Sequence, residues 1–207
     1  MLPPESGPGG YDESVGARRI SPVMKSFLLF LIFVAVCLAI HHRGFQSPMI
    51  YDSSLWIERK AHIFERKDVK EVISIFPKRP LLMISFYFNH ALTGMEPAPF
   101  RVFSAALVAA SGVALVWLII VLLRIRGPSS RLSATEELLI AGSLGALVVV
   151  HPLQTFALLY IWQRSAILAC FFSFTTLSLY LALRSGQVRH TRIACVATGL
   201  LFFLGLN

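Results

Sequence analysis

Asp52 is the residue with the most chemistry to offer in a largely apolar chain. It sits in FQSPMIYDSS, residues 45–54, shortly after an apolar run. Pro48 turns the chain back there, which would keep the carboxylate near the outer membrane surface. In that place it can act as a general base or as an oxygen ligand for a hard divalent cation. Two arginines complement it. Arg79 lies in FPKRPLLMISFYFNHALTG, residues 76–94, and Arg164 interrupts the otherwise uncharged residues 153–183. Guanidinium groups bind phosphate bidentately. Taken one by one, such residues are more often a solvated loop face. Arg164 at membrane depth would cost about 2.5–3.5 kcal/mol on insertion scales, so it is expected at the outer interface, facing a partner.

The elements that must position these groups are helices in a membrane. Of 207 residues, 56% are hydrophobic and only 14% charged, well below the roughly one quarter charged in soluble domains. The expected class is all-α, a polytopic membrane protein with about five transmembrane helices near residues 23–40, 102–123, 134–150, 165–183 and 193–207. Residues 1–22, rich in proline and glycine, are expected to form a disordered cytoplasmic tail. Residues 23–207 form the transmembrane domain, with residues 41–101 as its outer loop. The net charge of +8 does not point to nucleic acid. Arg18, Arg19, Lys25, Arg124, Arg126, Arg131, Arg184, Arg189 and Arg192 flank apolar runs on one predicted side, and Arg164 alone lies in the third connection. That bias predicts a cytoplasmic amino terminus and an outer loop. Cys37, Cys170 and Cys195 show no disulfide or metal spacing and are expected as small buried hydrophobes.

Inside the loop, Ile57, Ala61, Phe64, Asp68, Val72 and Ile75 recur near helical spacing, broken only by Asp68. That pattern predicts an amphipathic helix on the membrane surface. Residues 81–93 are uncharged but too short to span, with Ser85, Asn89 and Thr93 making one polar stripe, so an interfacial or re-entrant helix is expected. Residues 126–130, RGPSS, read as a tight turn. Ser133 and Glu136 have capping-box spacing, and Pro152 closes that helix at His151.

Two passages carry a family resemblance. HPLQTFALLYIWQR, from His151 to Arg164, matches roughly H-P-[LI]-Q-T-[EQ]-A-V-x-Y-I-x-Q-R. SPMIYDSS and RPLLMISFYFNHALTGMEPAPF match S-P-F-x-x-D-D and an R-P…F-x-x-N…G-x-x-P pattern. Over residues 45–207 the chain resembles bacterial membrane proteins with carboxy-terminal tetratricopeptide repeats, similar to the O-mannosyltransferases of that architecture. The resemblance implies a type-C glycosyltransferase, which takes a sugar from a polyprenyl-phosphate donor and passes it to a protein hydroxyl on the outer face of the bacterial inner membrane. Asp52 would then be the essential catalytic carboxylate and the ligand of a divalent metal, Mg²⁺ or Mn²⁺. Arg79, Arg164 and His151 would bind substrate. Membrane lipids, other membrane subunits or further carboxy-terminal spans would be its partners.

The chain also departs from that pattern. Ser53 replaces the second aspartate and Phe156 replaces Glu or Gln. Arg101, Ser104 and Val108 stand where His, Asn and His are usual. These replacements favour a second reading, a non-catalytic membrane subunit or scaffold that keeps the fold.

Overall fold

The computed structural model describes residues 21–125, 132–187 and 191–205. The expected tail and the turn at residues 126–130 lie mostly or wholly outside them. The described chain is all-helical: α1 (Pro22–His41), α2 (Asp52–Trp56), α3 (Ala61–Glu65), α4 (Val69–Ile75), α5 (Pro80–Thr93), α6 (Pro97–Ile125), α7 (Ala134–Val150), α8 (Leu153–Leu159), α9 (Arg164–Arg184) and α10 (Thr191–Gly205). Three segments are long and apolar enough to cross a membrane, Val23–Gly44, Pro97–Ile125 and Ile161–Arg184. A fourth is added if α7 and α8, bent by 62°, count as one broken span. Helix α10, at 15 residues, falls short of the usual ~17–25.

Long helix α6 is the axis of the bundle, packed against α1, α7 and α9, while α10 leans on α9. Small residues set the closest approach. A Cβ on Gly145 would lie 2.5 Å from Val116 and 3.2 Å from the Gly112 carbonyl, and one on Gly112 would lie 2.6 Å from Val149. Helices that find no hydrophobic drive in lipid gain contact in this way, by letting backbones come close. The capping box of α7 is formed, with Ser133 Oγ accepting from the Glu136 amide at 3.3 Å and Glu136 accepting from the Ser133 amide at 2.7 Å. His151 ends that helix, as Pro152 requires.

The loop differs from its expected form. Ile57, Phe64, Val72 and Ile75 are buried together, but not along one surface helix. The backbone breaks at Lys67, whose φ is 57°, and Asp68 caps α4 by accepting from the Lys70 amide at 2.9 Å. The one polar residue in the stripe is therefore a helix start. These apolar residues face Leu82, Met83 and Phe86 of α5 rather than a flat membrane, making a second core with Phe100, Ile161 and Trp162. Two cysteines also depart from expectation: Cys37 is buried, whereas Cys170 and Cys195 are exposed on α9 and α10.

Candidate functional site

The loop reaches the helices through residues 160–165. Asp52 opens α2, and its Oδ2 accepts a hydrogen bond from Tyr160 Oη at 3.0 Å. Next to it, Ser53 Oγ accepts from the Trp162 amide at 3.0 Å. The residue that aims this pair is Tyr51, at φ 51° and ψ −129°, a strained backbone for a bulky side chain. Its ring meets Tyr160 edge-on at 6.2 Å, and Phe156 lies 5.2 Å from Tyr160. Partial burial, then the hydrogen bond and charge of Asp52, hold the Tyr160 phenol above its ordinary pKa. The phenol therefore stays a donor to the carboxylate across neutral pH.

Arg79 reaches the same stretch. Its Nη1 donates to Ser165 Oγ at 2.9 Å while the guanidinium lies over Phe76 at 5.7 Å. An open cleft of about 440 Å³ is lined by Met49, Ile50, Tyr51, Ser54, Leu55 and Arg59, neighbours of Asp52 in sequence but not Asp52 itself. Its walls are mixed, with Met49, Ile50 and Leu55 beside the polar Tyr51, Ser54 and Arg59.

Arg164, the first residue of α9, turns inward rather than outward. It is 0% exposed, and its guanidinium donates to Ser104 Oγ (3.3 Å), Ser85 O (3.4 Å), Ser85 Oγ (3.3 Å), Asn89 Oδ1 (2.9 Å) and Phe100 O (2.7 Å). Phe86 and Phe103 cover it at 4.7 and 4.8 Å. The expectation that it faces a partner outside is corrected. The polar stripe of α5 supplies Ser85 and Asn89 as acceptors, so a cation that would be costly in lipid is satisfied by neutral dipoles. A guanidinium so engaged has little left for a phosphate.

Sequence reasoning missed Arg101. It is 1% exposed and donates to the carbonyls of Phe45 (2.6 Å), Pro48 (2.9 Å), Leu159 (3.0 Å) and Ser47. These bonds clamp the segment that leads to Asp52 onto the top of α6. This also explains why α6 begins at Pro97 rather than near residue 102: a charge that seemed to bound the span is folded into it. Its signal was in plain view, as one of the positions where the family pattern fails.

The structure thus sets Asp52, Ser53 and Arg79 against one six-residue stretch, residues 160–165, which itself contains Arg164. His151 is apart from them. It is exposed, and its Nδ1 accepts from the Leu153 amide at 3.2 Å, a local cap at the bend. Among the described residues no cluster of three His, Cys, Asp or Glu could hold a metal. One carboxylate and a phenol do not make a cation site by themselves. Compared with known proteins, the chain matches no family model, no curated protein and no solved structure.

Proposed function

We propose that the protein is a glycosyltransferase of the polyprenyl-phosphate-dependent class, set in the bacterial inner membrane by about five spans with its amino terminus in the cytoplasm. The observation that carries this reading is the bond between Asp52 and Tyr160. It joins two segments, 108 residues apart, that each carry the resemblance, and Tyr51 and Ser54, close to Asp52 in sequence, line a cleft with Met49, Ile50, Leu55 and Arg59. Such a cleft suits an isoprenoid phosphate. Asp52 takes the proton of the acceptor hydroxyl, and that oxygen attacks the anomeric carbon. The bond from that carbon to the donor phosphate breaks, and Arg59 and Arg79 bear the charge of the leaving lipid phosphate.

A second reading, a scaffold that keeps the fold without the chemistry, is favoured by one observation. Arg101 and Arg164 both spend their donors on internal acceptors. Transfer from polyprenyl-phosphate mannose, measured in membranes holding wild type or Asp52→Asn at equal expression, separates the readings. Losing a general base lowers the rate about 100- to 10,000-fold, a barrier change of about 3–5 kcal/mol. Equal rates remove Asp52 from the mechanism, and no transfer by either protein supports the scaffold.

A further inference from the structure

The end of the bundle away from the loop holds a second site. Helix α1 runs from Pro22 to His41 before the loop begins, and α6 runs back from the loop to Ile125. Lys25 and Arg124 therefore share one end, where α7 starts. Between the three helices lies a cavity of about 480 Å³, within the roughly 300–1,000 Å³ usual for small-molecule sites. Leu29, Val113, Val116 and Ile120 line its depth, and Lys25 and Arg124 stand in the same lining. Glu137 takes the Arg124 Nε and Nη2 at 2.9 and 2.8 Å, which fixes that guanidinium and neutralises one charge. Lys25 forms no salt bridge among the described residues, so one positive charge remains.

We propose that this cavity binds an anionic phospholipid. The phosphate sits at Lys25 and the outer edge of Arg124, and one acyl chain lies along the apolar walls. An apolar slot between helices with a cationic mouth at a bundle end complements a lipid that is apolar along its chain and negative at its head. A zwitterionic lipid offers the same chain without the net charge. This site does not depend on the reaction proposed for Asp52.

Native mass spectrometry of the full chain, purified and loaded with equal phosphatidylglycerol and phosphatidylcholine, tests it. We expect phosphatidylglycerol to be retained at least about five-fold more, and Lys25→Gln to remove most of that preference, since one interfacial cation is worth about five-fold. Lys25 is exposed on the first turn of α1, so the variant should fold. Lys78→Gln, in the loop, should change nothing. Equal retention of both lipids overturns the proposal, as does a preference that survives Lys25→Gln. Full displacement by glycerol phosphate would mean a phosphate site rather than a lipid site. A cavity already filled by the chain's own amino-terminal residues would retain no lipid, which also overturns it.

Discussion

The loop core and the helix bundle are packed from different materials. The loop core is built of large side chains, with Trp56, Phe76, Phe86, Phe100 and Trp162 in ring contacts at 5.4–6.3 Å, as in a water-soluble domain. Where α6 crosses α7, the bundle is built of absence, with Gly112 and Gly145 letting backbones meet. One region gains stability by removing apolar area from water, the other by close contact between surfaces that lipid would otherwise cover. Two buried arginines join them. Arg101 holds the loop's entry, and Arg164 ties α5 to α6 and α9. Both work by satisfying backbone carbonyls and neutral side chains, so no buried acid is needed.

The largest effect should come from cutting that join. Arg164→Ala leaves Asn89, Ser85 and the Phe100 carbonyl without their donor and opens a void under Phe86. Each buried neutral acceptor left without its donor costs about 1–3 kcal/mol, and several are left at once. We expect a lower unfolding midpoint in mild detergent and faster tryptic cutting at the loop's lysines and arginines. Arg79→Ala, which loses one part-exposed bond, should cost no more than about 1 kcal/mol. Equal effects of the two would mean that the loop and the bundle are not joined through Arg164.

How much of this could be read beforehand follows the same division. Period and composition located the long helices, the capping box and the stop at Pro152, because those signals are local. The polar stripe Ser85–Asn89–Thr93 and the lone Arg164 were each visible, but their pairing spans 75 residues from Asn89 and has no local mark. The loop's apolar positions were legible and its path was not: helical spacing continues through Lys67, while the backbone does not. Arg101 was misread because a charge beside an apolar run looks like a boundary until four carbonyls are found around it. For Asp52, the residue was singled out by resemblance, and its partner Tyr160 lay within a quoted motif without a role.

The bundle's side of the comparison is sharpened by two glycines on one helix. On Gly145 an added methyl meets Val116 and, more seriously, the Gly112 carbonyl, which cannot rotate away. Overpacking of this kind costs about 1–3 kcal/mol. Gly142, one turn earlier, has nothing within 4 Å of such a methyl, so Gly142→Ala should stabilise by about 0.5–1 kcal/mol through helix propensity. Midpoints of unfolding in mixed detergent should move in opposite directions. Hydrogen exchange of the loop amides should not follow either change, because the loop core stands on its own contacts. A loop that loosens with Gly145→Ala would mean that the two packings are a single unit.

A small effect of similar size should fall at the point where the loop touches the end of α8. Tyr160→Phe removes one hydrogen bond to Asp52 and leaves the ring contacts with Tyr51 and Phe156, a loss of about 0.5–1.5 kcal/mol. Its dependence on pH has a definite sign. The folded phenol titrates above its unfolded value because of burial and the neighbouring carboxylate, so its contribution is complete below about pH 10, the unfolded value. As pH rises further, the unfolded chain releases the proton first, and the contribution is lost through the folded pKa. Wild type should therefore lose its small advantage over Tyr160→Phe as pH rises above about 10, the unfolded value, and through the raised folded value, read from the difference of their unfolding midpoints. A constant difference over that range would mean that the Asp52–Tyr160 bond is not made by a protonated phenol, and that the loop is held to α8 by its rings alone.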